Sequence, residues 1–272
     1  MEPKILNFRP NTPIYVVGDI HGVFNSLIAM IKRYEIKDSV IIVAGDCGLG
    51  FHTKSSTKEQ VKKLERTCKN HNNTIVMIRG NHDDPSWFTG KLTKRILPVP
   101  DYTVINDCVL CVGGATSIDR VYRLDEHTQR IAKYKQYHPG ATQEEIAENI
   151  CRSYWPNEAP VYDEEALNEI KNRGIKIRHV VTHTCPSMCD PITKDGLRYW
   201  MRFDLDLADD VDNERNVMDQ ILNKLNLDVH PLETWTYGHY HRHNRERLEG
   251  IDFTMLGAVL NDNCCVDWIE VK

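Results

Sequence analysis

The most constraining feature of this chain is a run of three short apolar segments, each closing on glycine and a polar residue. IYVVGD (14–19), VIIVAGD (40–46) and TIVMIRGN (74–81) are rich in β-branched residues and 26–34 positions apart. Between the first two, Phe24, Leu27, Ile28 and Ile31 recur at i, i+3, i+4, i+7, the pattern of an amphipathic helix over 24–34. Between the second and third, Val61, Leu64 and Cys68 share one helical face over 57–69, and Ser56 with Glu59 has capping-box spacing. Strand, helix, strand, helix, strand implies parallel pairing with right-handed crossovers. The apolar content of 41% is enough for a sizeable core.

Further along the periods shorten. TVINDCVLCVGGATS (103–117) predicts a hairpin or two short strands. A polar helix starts at Thr142, with Glu145 completing a capping box, and runs into the proline-bounded SYWPNEAP. A helix over 163–174 closed by Gly174 and a strand over 177–183 follow. Residues 186–212 show no period and read as a loop or small cap, with the acidic DLDLADDVD (204–212) solvated. Val217, Ile221 and Leu225 mark another helix, and TWTYGHYH, IDFTMLGAV and CCVDWIEV form a strand-rich tail. With no repeat or linker, the expectation is one domain over 1–272, with a cap or insert around 118–160.

Composition removes several functions. A net charge of -5 provides no global field for a long polyanion, and no apolar run reaches membrane-spanning length. The N-terminus lacks a secretory apolar region, and nine scattered cysteines read as reduced thiols of a cytoplasmic protein. Cys108 and Cys111 are i and i+3 in a strand-like run, so they face opposite sides and cannot readily chelate one ion. Cys264 and Cys265 read likewise as core or edge thiols.

The stretch GDCGLG (45–50) has phosphate-loop glycine spacing, but Phe51 and His52 stand where lysine and serine or threonine belong. Cys47 as a nucleophile would need a neighbouring base, and it adjoins Asp46 instead. A metal reading fits better, because five predicted strand ends carry donors. They are Asp19 and His21 in GDIHG, Asp46, then Asn81, His82 and Asp83 in GNHD, His183 in THTCP, and His239 and His241 in GHYH. Ligands gather outside the carboxyl ends of parallel strands, so these loops converge on one crevice. Oxygen and imidazole donors suit Mn²⁺, Fe²⁺ or Zn²⁺, and a carboxylate bridging two cations clamps an in-line phosphoryl displacement.

The series GDIHG, GD, GNHD, TH and GHYH resembles the calcineurin-like metallophosphoesterases over residues 14–241, with GGATSIDR and WPNEAP similar to segments of bacterial and phage-type members. The resemblance implies a four-layer α/β/β/α sandwich with mixed sheets. It implies two divalent cations, manganese first, with iron or zinc as alternatives. Asp19, His21, Asp46 and His241 would hold one, and Asp46, Asn81, His183 and His239 the other. A bridging hydroxide would attack phosphorus, and His82 would protonate the leaving oxygen, with Asp83 a candidate to orient it. Asn81, Arg120 and Arg123 would contact substrate, a phosphorylated small molecule, nucleotide or phosphopeptide. The sequence departs from the GDxxDRG loop of Ser/Thr protein phosphatases. Leu49 replaces the aspartate that orients the histidine, and Gly50 the phosphate-binding arginine. That departure weakens a protein phosphatase reading, although Arg79, Arg120, Arg123 or Arg242 could substitute. A nucleotide or nucleic-acid phosphodiesterase is a further alternative. A non-enzymatic scaffold would have no need to keep every ligand, and here all are present.

Overall fold

A computed structural model describes residues 2–258 and 268–271. In chain order the elements are β1 (Ile5–Leu6), β2 (Ile14–Val17), α1 (Phe24–Arg33), β3 (Val40–Ala44), α2 (Lys54–His71), β4 (Thr74–Ile78), β5 (Ile96–Pro98), β6 (Thr103–Ile105) and β7 (Val109–Val112). There follow α3 (Arg120–Tyr137), α4 (Gln143–Asn149), α5 (Glu164–Asn172), β8 (His179–Thr182), α6 (Leu197–Trp200), α7 (Leu207–Leu227), β9 (Thr234–Tyr237), β10 (Asn244–Leu248), β11 (Ile251–Met255) and β12 (Trp268–Val271).

The strands form two mixed sheets. One has the order β12-β2-β3-β4-β5, parallel except for β12. The other runs β1-β6-β7-β8-β9-β11-β10, with antiparallel pairs only at β6·β7 and β10·β11. Side-chain alternation explains the stacking. Ile41 and Val43 of β3 and Ile75 and Met77 of β4 face α1 and α2. Their neighbours Val40, Ile42, Val76 and Ile78 meet Ile105, Val109, Cys111 and Val181 of the other sheet. The far face of that second sheet packs Val180, Trp235 and Phe253 against α5 and α7. Strands buried on both faces read as unbroken apolar runs, which is why VIIVA shows no alternation. The result is the expected α/β/β/α layering.

Several local expectations change. The cap of α2 is Thr53, whose side chain accepts from Ser56 N, so the Ser56–Glu59 box does not form. The Thr142–Glu145 box does form on α4. The acidic stretch 204–212 is not a solvated loop throughout. It runs into α7, where Leu207 and Val211 are buried and Asp209 and Asp210 lie in the first turn, favourable at the positive helix end. Asp204 and Asp210 are occupied by Arg120. α3, unseen in the sequence periodicity, has no buried residue. Cys108 precedes β7 and is half-buried, while Cys111 is fully buried between the sheets. Cys264 and Cys265 lie outside the described residues. Among the described residues no helix is long and apolar enough to cross a membrane.

Candidate metal centre

The loops after β2, β3, β4, β8 and β9 meet at one edge of the sandwich. Asp19, His21, Asp46 and His241 place their donor atoms within 4.8 Å of one another. His241 Nε2 lies 3.2 Å from Asp19 Oδ2 and 3.0 Å from His21 Nε2. His21 Nδ1 is 3.8 Å from Asp46 Oδ2, so this carboxylate faces both halves of the site. On its other side, His183 Nε2 lies 3.5 Å from Asp46 Oδ1 and 3.0 Å from Asn81 Oδ1.

Glycines before the ligands have a steric purpose. A Cβ at Gly45 would collide with the His183 ring, one at Gly80 with Asp46, and one at Gly238 with Asp19. Each strand end therefore lies flat against the ligand delivered by another. His21, Asp46, His239 and His241 all have positive φ, between 43° and 71°. Four strained non-glycine residues in one cluster mark a site whose geometry the surrounding fold imposes.

The donor set fits two cations. The Ala44 carbonyl, which can only accept, lies 2.7 Å from His183 Nδ1, so the ring proton sits there and Nε2 presents a lone pair. Asn81 is turned the same way, because its Nδ2 donates to Ser117 Oγ at 2.8 Å and leaves Oδ1 toward His183. Two acceptors 3.0 Å apart need a positive charge between or upon them. Among the protein's own charges that is met by a proton: against the pull of burial, Asp46 and Asp19 hold the His183 imidazole up to about 9. His239 Nε2 is buried without a hydrogen-bond partner among the described residues, which is costly for a polar atom unless a ligand takes it. Its backbone N–H is anchored on Asp19, 3.0 Å from Oδ1.

His82 flanks this cluster. Its N–H donates to Asp46 Oδ1 at 2.9 Å, and its Nδ1 lies 2.9 Å from the Ser153 carbonyl. Nδ1 therefore carries the proton, and Nε2 is the accepting nitrogen, 3.2 Å from Asn81 Nδ2. Burial, and then Arg123, draw the ring's pKa down, to about 4 despite the pull of Asp46. Among the described residues Asp83 makes no hydrogen bond to this histidine. Its oxygens accept from Cys47 N, Gly48 N, Leu49 N and Gly80 N at 2.8–2.9 Å, tying the GDCGLG loop to the next one. Burial, with Asp46 nearby, raises Asp83 to about 6. Leu49 is a core residue packed with α1 and α2. The hydrogen-bond partner of His82 Nδ1 is thus the Ser153 carbonyl, 71 residues further along the chain. Cys47 is buried, and burial and Asp83 push its thiol well up, which excludes it as a nucleophile.

A cavity of about 350 Å³ opens beside the cluster, lined in part by Asp46, His82, Arg123, Lys194, His239 and Arg242. Arg123 lines it, with Nε donating to Asp119 at 2.7 Å. Arg120 is absent from the lining; its guanidinium is locked on Asp204 and Asp210. Arg79 is buried, forked on Asp101 and bonded to the carbonyls of Asn157, Glu158 and Ala159, so it braces the WPNEAP segment. Arg242 pairs with Asp195. Sequence reasoning missed Lys194, Ser117, Ser153 and Glu158. Glu158 is buried, accepts from Ser117 N and lies 2.7 Å from Ser117 Oγ, and so sets the hydroxyl that turns Asn81. The WPNEAP motif was the only signal that its region mattered.

Residues 12–243 match the calcineurin-like phosphoesterase family profile. The chain belongs to that family, and is with it a metal-dependent phosphoester hydrolase. Among solved structures it is similar to a dimetal phosphatase from Danio rerio, at 11% identity and a TM-score of 0.47, covering 96% of this chain and 92% of that one. A phosphopantetheinyl hydrolase from Mycobacterium tuberculosis aligns at 14% identity and a TM-score of 0.37, over 91% and 90%. A protein serine/threonine phosphatase from Saccharomyces cerevisiae aligns at 16% identity and a TM-score of 0.37, over 94% and 72%. A search of curated proteins returned no match.

Proposed function

We propose that the chain hydrolyses phosphomonoesters of small phosphorylated compounds on two divalent cations. Asp19, His21, Asp46 and His241 would hold one cation, and Asp46, Asn81, His183 and His239 the other. The observation that carries this reading is the convergence of the Asp19, His21, Asp46 and His241 donors within 4.8 Å, beside a His239 Nε2 that is buried without a hydrogen-bond partner among the described residues. When bound, the cations neutralise phosphate charge and acidify the attacking water. The donor set favours manganese, with iron or zinc on the same ligands, and the compartment is read as the cytoplasm.

The protein's own residues do the rest. Asn81 and Asp46 are held rigid by Ser117 and the His82 amide. Water adds to phosphorus on the face opposite the leaving group, and the bond to the leaving oxygen breaks. His82, its Nδ1–H fixed on Ser153, presents Nε2 to that oxygen and delivers the proton. At a pKa of about 4 the free ring is neutral near pH 7, so it takes up its proton together with the phosphate dianion, whose charge favours imidazolium. Arg123, paired with Asp119, lines the same cavity.

The test is turnover of p-nitrophenyl phosphate against bis-p-nitrophenyl phosphate by the Mn²⁺-loaded protein. Faster monoester turnover is expected, lost in Asp46→Asn and reduced about 10²–10⁴-fold in His82→Ala. No turnover of either ester at full metal occupancy would refute the proposal, and a preference for the diester would replace it with a phosphodiesterase.

A further inference from the structure

The GDCGLG loop supplies no cation for the phosphate, and it has no room for one. A Cβ at Gly50 would collide with Asp84, and φ there is +86°. The arginines that could substitute are committed: Arg79 to Asp101, Arg120 to Asp204 and Asp210, Arg242 to Asp195 and Arg123 to Asp119.

Lys194 differs from all of these. It is half-buried and reaches into the cavity from the segment between Pro191 and α6. Its Nζ donates to the Thr116 carbonyl, and no ion pair to it is found among the described residues. The carboxylates whose fields reach it are Glu214, Glu158 and Asp46. Glu214 is taken by Thr116 N and Thr184 Oγ1, and Asp46 by the histidines and the His82 amide. Glu158 is bonded to Ser117 and, raised by burial to about 8, is mostly protonated at neutral pH. Two of the three ammonium protons are thus without an acceptor among the described residues, beside His239, where the ammonium charge is felt. A desolvated cation next to a dication site is unfavourable until an anion joins it.

We propose that Lys194 grips a non-bridging oxygen of the substrate phosphate, replacing the arginine that this chain lacks at Gly50. The proposal rests on the phosphoesterase reading above and sharpens its substrate class. An ammonium is a point charge with no planar fork, so it rewards charge rather than bidentate shape. It therefore favours the dianion of a monoester over a monoanionic diester. The lysine sits on a segment that also contributes Trp200 to the cavity wall, so phosphate and leaving group are met by one stretch of chain.

The experiment uses the Mn²⁺-loaded protein, wild type, Lys194→Met and Lys194→Arg, each checked for bound Mn²⁺. Lost charge-assisted hydrogen bonding should raise the monoester KM and the inhibition constant of inorganic phosphate about ten- to hundredfold in the methionine variant. The diester KM should rise less, and arginine should restore most of the loss. Unchanged phosphate inhibition and an unchanged ratio of the two KM values would overturn the proposal. If the wild type turns over neither ester, calorimetric binding of inorganic phosphate still decides: weaker binding by Lys194→Met upholds the lysine's role, and equal binding removes it.

Discussion

Replacing Arg79 by methionine should unfold the protein earlier without altering its affinity for phosphate. The side chain is 9% exposed and makes two bonds to Asp101 and three to the carbonyls of residues 157–159. Methionine fills most of the volume but takes the counter-charge from Asp101, which keeps the Gly113 amide, and a donor from three carbonyls, of which Glu158 keeps the Ala115 amide. Removing one partner of a buried pair costs about 3–5 kcal/mol. Asp101 is 21% exposed and regains some water, which puts the loss near the lower end, about 3 kcal/mol. For a chain of this size that is roughly 6–12 °C in melting temperature. Thermal unfolding followed by circular dichroism reads the shift, and inorganic phosphate inhibition reads the site. Because Arg79 braces the segment that carries the Ser153 carbonyl, kcat should fall while the phosphate inhibition constant stays put. A melting temperature within about 2 °C of wild type, with phosphate inhibition weakened tenfold, would show that Arg79 binds substrate and that its assignment as a brace is wrong.

Three further outcomes are expected. His239→Ala should bind one Mn²⁺ per chain where the wild type binds two, as read by elemental analysis of dialysed protein. Glu158→Gln should flatten the dependence of stability on pH. The folded pKa of Glu158, about 8, lies above its ordinary value, so its stabilising contribution is complete below about 4.5 and is lost as pH rises through 8, up to about 5 kcal/mol in all. Urea midpoints in chelator at pH 5 and pH 9 measure this, and a wild-type protein equally stable at both would contradict it. Arg120→Ala should leave the monoester KM within about twofold while lowering stability by roughly 1–3 kcal/mol, since it frees Asp204 and Asp210 and touches no part of the cavity.

The first half of the chain was readable because its strands are buried on both faces and its donors directly follow them. Asp19, Asp46 and Asn81 announce themselves by the glycine before each: a side chain at Gly45 or Gly80 would strike a neighbouring ligand, and one at Gly18 the backbone of Gly257. What stayed hidden depends on contacts between distant residues. β1 is two residues long and exists only by pairing with β6. α3 buries nothing, so it has no apolar stripe to detect. The acidic start of α7 looks like solvated loop until Leu207 and Val211 are seen in the core. Lys194 is one lysine among many in sequence, and only the fold brings it beside His239. Asp83 looked like a partner for His82 by adjacency, yet a tight turn sends its carboxylate to the backbone of the preceding loop.

The divided origin of the ligands has a mechanical consequence. Asp19, His21, Asp46 and Asn81 follow strands of the five-stranded sheet, whereas His183, His239 and His241 follow strands of the seven-stranded one. Each cation would be gripped from both sides, so the pair acts as a rivet through the sandwich. Chelation should then loosen the seam between the layers, and hydrogen exchange of the β3 and β8 amides should quicken together. Conversely, shortening Val76 or Val181, which pack between the two sheets, to alanine should weaken metal binding by changing how far apart the two plates lie.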